Sequence, residues 1–330
     1  MTAQPSARIY RGAASTLALH AKVLRAGQLV AVPTETVYGL AANALDPKAC
    51  RKIFRAKGRP AHDPLIVHLH SLSQLSTIAQ PNDAVLKLAR AFWPGPLTLV
   101  LPKQAIVPAV VSSHLPSVAV RMPRHPLFRK LLKLADLPLA APSANPFGYI
   151  SPTTAAHVQA SLGHKIAFIL DGGPASIGVE STIVDVRNPQ APRLLRPGAI
   201  TRAELEHVLG VRIRNAPRMA RGSAPLSPGL LKRHYSPRTP AVLHRQISRS
   251  DVEKSESRDA WIFIAKPGSL RGKNIFWLDE RGQLKGAARR LFDVLRNADA
   301  GGFERIHLER ATGGGLADAI NDRLERAAAR

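Results

Sequence analysis

Lys57 and Arg59 stand two residues apart across Gly58 in the stretch FRAKGRPAHDPLIVHLH, residues 54–70. In an extended turn both side chains can point the same way, and the planar fork of an arginine suits a phosphate or a carboxylate. The turn itself needs only its Gly and Pro, which set the backbone angles, so the charged groups serve another task or simply water. Three further stretches set polar side chains at strand ends, where α/β proteins usually carry their sites. VPTETVYGLAANA puts Thr34, Glu35, Thr36 and Tyr38 directly after a strand, with hydroxyls that can grip a small polar ligand; an ordinary capping box reads the same way. In LAAPSANPFGYISPTTAAHV, Ser143 and Asn145 are small donors and acceptors in a proline-punctuated turn. Ser151-Pro152 then starts a helix whose N-terminal amides can meet an anion, or which is merely capped there. In ASIGVESTIVDV, Ser181 and Thr182 follow Glu180 at a strand start, and Arg196 ends the next strand. Together these stretches suggest a pocket for a nucleotide and a small zwitterion, rimmed by cations. His68, among apolar residues, reads as a hydrogen-bonded core histidine, and Cys50 as buried filler. There is no cluster of Cys and His at metal-ligand spacing and no nucleophile elbow, so the expected chemistry is positioning and charge stabilisation.

The elements that must hold these residues alternate through the first 215 positions. LVAVP, PLIVHL, LTLVLP, SVAVRMP, LPLAAPS, AFILDGG, STIVDV and RLLRPG are short branched-aliphatic runs bounded by Pro, Gly or Ser, the mark of strands. Asp46-Pro47 opens a helix that ends near Gly58, and HPLFRKLLKLAD, SPTTAAHVQASLG and TRAELEHVLG are helical by period or cap. The mixture predicts an α/β unit with a large, twisted mixed sheet over residues 1–214. Residues 215–240 are rich in proline and arginine, the composition of a linker. Leu230, Leu231, His234 and Tyr235 at its centre are more than a spacer needs, and predict a segment that docks. Residues 241–330 carry four strand candidates, AVLHRQI, AWIFIAK, NIFWLDE and RIHLER, an amphipathic helix through Leu284–Leu295 and a last helix near Leu316–Ala329. This reads as a small Rossmann-like βα domain. Its Gly313-Gly314-Gly315 lacks the spacing of a phosphate or dinucleotide loop and reads as a tight turn.

Composition narrows the partners. The chain has 47 Lys and Arg against 23 Asp and Glu, a net of +24, and residues 1–240 hold 30 of the basic and 10 of the acidic side chains. That basic part is expected to meet polyanions, nucleotide phosphates or RNA, unless the charge serves solubility alone. A single cysteine, no apolar N-terminal leader and no membrane-length apolar run point to a cytoplasmic protein without membrane contact.

The motifs PTETVYGL, KGRPAHDPLIVH, WPGPLTLVLP, VAVRMP, PSAN, GVESTIVD and LRPG, in that order, closely resemble the YrdC-like catalytic domain of the L-threonylcarbamoyladenylate synthases. SPGLLKRHYSP and the C-terminal GGGLADAINDRLERAA look like the long, two-domain branch of that family, so the resemblance spans nearly the whole chain. It implies a nucleotidyltransferase that joins L-threonine, bicarbonate and ATP, with Mg2+ on the ATP, into threonylcarbamoyl-AMP and pyrophosphate. Downstream tRNA threonylcarbamoyl transferase proteins then modify the adenosine beside the anticodon, and weak RNA or tRNA binding is compatible with the charge. The family's Lys-x-Arg and Ser-x-Asn catalytic set falls on Lys57, Arg59, Ser143 and Asn145. Thr36, His68, Arg121 and Ser181 match threonine-holding positions. Ser117, Ser151, Arg196 and Tyr235, with Arg59, Ser143 and Asp63, match the nucleotide side. Asp63 is a departure, since many relatives have His or Asn there; a carboxylate beside triphosphate repels it unless it faces magnesium or a cation, and His62 is then expected to take the missing role. The carbamate intermediate is short-lived in water, so the linker is expected to close as a lid, anchored by the C-terminal domain. Two other readings fit the residues: an RNA-binding module without chemistry, and a carbamoyl transferase, whose zinc-finger and acylphosphatase regions have no counterpart here.

Overall fold

The computed structural model describes residues 6–216, 226–227, 229, 234–255, 258–268 and 270–329. Leu230 and Leu231, expected to dock, lie outside them. In chain order the first unit contains β1 (Arg8–Arg11), α1 (Ala14–Arg25), β2 (Val30–Val32), β3 (Gly39–Asn43), α2 (Pro47–Lys57), β4 (Ile66–His68), α3 (Ser73–Ile78), α4 (Asp83–Phe92), β5 (Leu97–Pro102), α5 (Ala109–Ser112) and β6 (Ser117–Arg121). It continues with α6 (Pro126–Ala135), β7 (Leu139–Ala140), α7 (Ala155–Leu162), β8 (Phe168–Asp171), β9 (Thr182–Asp185), β10 (Arg193–Arg196), α8 (Arg202–Leu209) and β11 (Arg214–Asn215). The second unit holds β12 (Ala241–His244), α9 (Arg249–Lys254), β13 (Asp259–Ala265), β14 (Ile275–Asp279), α10 (Leu284–Ala300), β15 (Arg305–Glu309) and α11 (Leu316–Ala328).

The larger sheet has eleven strands in the order β1-β8-β2-β3-β7-β4-β6-β5-β9-β10-β11 and mixes parallel with antiparallel pairs, as the alternation of elements predicts. Each of the eight strand runs read in the first 215 residues forms a strand of it. The smaller sheet, β12-β15-β13-β14, is parallel throughout, with α10 and α11 packed on it. α9 lies between β12 and β13 and α10 between β14 and β15, whereas β13 leads to its parallel neighbour β14 with no helix among the described residues between them.

Local chemistry sets the ends that matter. Asp46 caps α2 by accepting the Lys48 amide, Pro47 fills the first turn, and Gly58 at φ 63° terminates the helix in the left-handed region that glycine adopts without strain. Ser151 does not open a helix as expected. α7 begins four residues later, because Thr154 accepts the His157 amide and is the cap, so Ser151 stays in extended chain. Nor does a helix follow the Thr34–Val37 turn: the Thr34 hydroxyl accepts the amides of Thr36 and Val37 and donates to the Val37 carbonyl, and the chain enters β3. Cys50 is buried, and burial pushes its thiol up to about 12, so it is inert packing. One apolar cluster joins the two units, running from Val37, Ile150 and Val179 through Tyr235 to Phe292, Leu295 and Ile320.

Candidate active site

Strand register builds the floor of a cavity. His68 on β4 pairs with Arg121 on β6, and Arg121 pairs with Thr98 on β5, so the three side chains leave one face of the sheet in a row. All three are buried. Arg121 is fixed on several sides: it donates to the Glu35 carboxylate at 2.7 Å, to the Thr36 hydroxyl at 3.0 Å and to the Gly95 carbonyl at 3.3 Å. The Thr34 proton is spent on the Val37 carbonyl, so Thr36 donates to Thr34 across 2.8 Å while it accepts from Arg121. Burial acts to raise the Glu35 carboxyl, but the Arg121 charge and hydrogen bond outweigh it and hold Glu35 below the usual carboxylate range. Burial, then the same Arg121 charge, drives His68 down to about 3, which leaves a neutral imidazole.

The walls come from turns. Ser181 shares a hydrogen bond of 2.8 Å with Thr98 and accepts from Arg196 at 3.2 Å. Arg59 aims its N–H groups at the carbonyls of Asp63 and Pro64, and one of its nitrogens also lies 2.9 Å from the Asp63 carboxylate. Lys57 donates to the carbonyls of Ser143 and Asn145, both at 2.5 Å, and so pins the Ser-x-Asn turn beneath the cavity. Burial, reinforced by the Arg59 charge, holds the Lys57 ammonium well below the usual lysine range.

The roof is His234 and Tyr235, with Gly229 beside them. Tyr235 has φ 60°, is fully buried and packs on Phe292 at 5.5 Å between ring centres. The guanidinium of Arg323, on α11, lies 5.5 Å from the centre of the same ring. A Cβ at Gly229 would sit 2.7 Å from the Tyr235 hydroxyl and 2.9 Å from Arg196, so only glycine lets the segment lie this close. The space left beneath the roof is about 40 Å3, enough for a water or two and far too small for a nucleotide. The described part of the linker thus roofs the cavity, with Phe292 and Arg323 of the C-terminal helices packed on Tyr235.

Thr36, Arg59, His68, Arg121, Ser143, Ser181, Arg196 and Tyr235, all candidates from the sequence, line this one cavity. The remaining candidates sit behind the lining. Lys57 and Asn145 support the Ser143 turn, Asn145 through its own bonds to the Pro146 and Tyr149 carbonyls. Ser151 donates to Glu180 at 2.5 Å. Ser117 and Asp63 are buried; the Ser117 hydroxyl has no hydrogen-bond partner among the described residues, and the Asp63 carboxylate is held by its ion pair with Arg59. His68 is therefore a floor residue and not the plain core histidine its apolar surroundings suggest. Sequence reasoning gave no role to Thr98 or Arg323 and none in the site to Glu35, Glu180 or His234. For Glu35 and Glu180 the available signal was adjacency to Thr36 and Ser181, and for His234 it was a place in the segment expected to dock.

Known proteins resemble this chain over both units. A family model described as "Telomere recombination", a label that names a process and no chemistry, matches residues 22–198, and a model described as "Threonylcarbamoyl-AMP synthase, C-terminal domain" matches residues 200–329. A threonylcarbamoyl-AMP synthase of Pyrococcus abyssi is 43% identical over 92% of this chain and 91% of its own, and one of Bacillus subtilis is 40% identical over 94% and 92%. The crystal structure of P. abyssi Sua5 complexed with L-threonine superposes with a TM-score of 0.89 at 40% identity, covering 97% of this chain and 96% of that one. Escherichia coli YciO, at 19% identity and a TM-score of 0.51 over 58% of the chain, shares the fold of the first unit. The two models follow one another along the chain, and the chain belongs to the threonylcarbamoyl-AMP synthase family in its two-domain form.

Proposed function

We propose that this chain is a nucleotidyltransferase that makes threonylcarbamoyl-AMP and pyrophosphate from L-threonine, bicarbonate and ATP. The single observation that carries the reading is the convergence of hydroxyls, a neutral imidazole and three guanidinium groups on one closed cavity, in a family whose members bear that name. Threonine would lie on the floor, its carboxylate toward Arg121 and its hydroxyl and amine within reach of Thr36, His68 and Ser181. Its uncharged amine attacks carbon dioxide, formed as bicarbonate loses its hydroxyl as water; the proton that the amine gives up balances the one taken into that water, and a carbamate results. A carbamate oxygen then attacks the α-phosphate, and the bond to the pyrophosphate leaving group breaks. Arg59 and Arg196 would meet the charge that gathers on the α-phosphate, with Ser143, Ser117, Ser151 and Tyr235 on the nucleotide side. Lys57 contributes by holding the Ser143–Asn145 turn in place.

Magnesium enters as the counter-ion of ATP, part of the substrate. Asp63 sits behind the cavity lining with an Arg59 nitrogen 2.9 Å from its carboxylate, and this hard oxygen group would meet the magnesium only by turning away from Arg59. Substrates enter only when the His234–Tyr235 segment lifts, and its return shields the carbamate from water. The product is a mixed anhydride, and tRNA threonylcarbamoyl transferase proteins would consume it in the cytoplasm. The basic surface would add at most weak RNA or tRNA binding.

Pyrophosphate exchange into ATP that depends on both L-threonine and bicarbonate tests the reading. Arg59→Ala alone strands the buried Asp63 charge, so the informative variant is Arg59→Ala with Asp63→Asn. It should stay folded and lose exchange by about 100-fold or more, the scale of removing one preorganised transition-state donor. Exchange by the native chain that ignores threonine would overturn the assignment.

A further inference from the structure

We propose that Arg323, on the C-terminal helix α11, is a positioning residue for the nucleotide half of the site, which makes the C-terminal domain part of the catalytic unit. The inference rests on the reading above. Arg323 is 1% exposed, yet it belongs to the other domain and reaches the catalytic one at three points. It donates to the Glu180 carboxylate at 2.9 Å, to the Glu180 carbonyl at 3.2 Å and to the Pro197 carbonyl at 2.7 Å. Asp322 lies 2.9 Å from it as a second counter-charge, and the Tyr235 ring covers its face. The fork geometry of a guanidinium is what lets one side chain hold two loops at once.

Glu180 passes this order on. Its other carboxylate oxygen accepts from Ser151, on the proposed nucleotide side. Ser151 is gripped from a second direction by the same domain: Arg296 on α10 donates to the Ser151 carbonyl at 3.3 Å, to the Ile150 carbonyl and to the Ser161 hydroxyl at 3.0 Å. The charge argument points the same way. Glu180 lines the cavity, and a bare carboxylate there would repel a triphosphate; Arg323 neutralises it without entering the cavity itself. Ser181 keeps its bonds to Thr98 and Arg196 whatever Arg323 does, so the threonine side is insulated.

Titration calorimetry on the full chain, with MgATP and with L-threonine as separate ligands, tests the proposal. Arg323→Ala should weaken MgATP by about 10- to 100-fold, the usual scale for unpairing a buried charge, with L-threonine within about twofold of native. Adding Glu180→Gln should recover most of the lost MgATP affinity, because a neutral amide needs no counter-charge. If Arg323→Ala does not fold, Arg323→Lys replaces it: it keeps the charge, cannot span both loops, and should weaken MgATP alone by about three- to tenfold. Unchanged MgATP affinity, or equal loss of both ligands with no recovery by Glu180→Gln, overturns the positioning role. A native chain that binds L-threonine but never MgATP would instead sink the functional reading beneath it.

Discussion

The floor of the cavity, His68 and Arg121 with Thr98 bonded to Ser181 beside them, rides on three adjacent strands, whereas its roof, Gly229, His234 and Tyr235, comes from a segment between the domains. Backbone ladders place every floor residue, and the Glu35–Arg121 ion pair is made within the same domain. The roof is held from both sides, by Phe292 and Arg323 of the other domain against Tyr235 and by Phe147 against His234, with the Ser236 amide donating to the Gly148 carbonyl. The contrast teaches where stability and function part company. A change in the floor strikes a buried charge network and the substrate surface together. A change in the roof can alter ligand entry while the sheet beneath keeps its register.

Arg121→Ala should have the largest effect. It leaves Glu35 buried without its partner, and breaking a buried pair from one side costs about 3–5 kcal/mol. Urea unfolding should show that loss, calorimetry should show no L-threonine binding, and Glu35→Gln added to it should return part of the stability but none of the binding. A midpoint equal to the native one would mean that the ion pair does not secure the floor.

The next effect is one of pH. His68 titrates at about 3 when folded, pushed down by burial and then by Arg121, while an unfolded imidazole titrates near 6.5. Between those values the unfolded chain holds a proton that the folded chain refuses, so stability falls as pH drops from 6.5 toward 3. At pH 5 this one group should cost about 2 kcal/mol relative to pH 7.5. His68→Gln should remove that share of the slope. Parallel stability curves for the native chain and the variant would show that the imidazole is hydrated, and the floor less closed than its burial indicates.

How far the two regions could be read from the sequence differs for the same physical reason. Branched-aliphatic runs between prolines and glycines announce β4, β5 and β6, so the strands of the floor were legible. Their register was not, and with it went the row His68–Arg121–Thr98, because pairing is settled by turns and packing far from any one strand. β3 is GLAAN, poor in strand-formers, and exists because β2 and β7 flank it. α1 has no side-chain cap at its start and so no local marker. The residue types of the pocket could be picked out at strand ends, but their partners could not. Glu35 is 86 residues from Arg121, Thr98 is 83 from Ser181, and Glu180 is 143 from Arg323. On the helical wheel of α11, Arg323 is one more charged residue, and only the docking of two domains turns it into a buried strut.

Tyr235→Phe should give the smallest change, and it sharpens the contrast most. The Tyr235 hydroxyl is buried and has no hydrogen-bond partner among the described residues, while its ring supplies the packing against Phe292 and Arg323. Removing a hydroxyl that makes no bond leaves no donor or acceptor stranded, so stability should move by less than about 1 kcal/mol, and an increase is as reasonable as a loss. Tyr235→Ala deletes the ring as well and should cost about 3–5 kcal/mol, the range for emptying an aromatic site in a core. If the hydroxyl is held for the nucleotide, as the proposed chemistry requires, Tyr235→Phe should raise the KM for ATP severalfold without touching the urea midpoint. A drop in that midpoint as large as the one from Tyr235→Ala would mean that the hydroxyl is a structural tie, and the roof would then be built on the same terms as the floor.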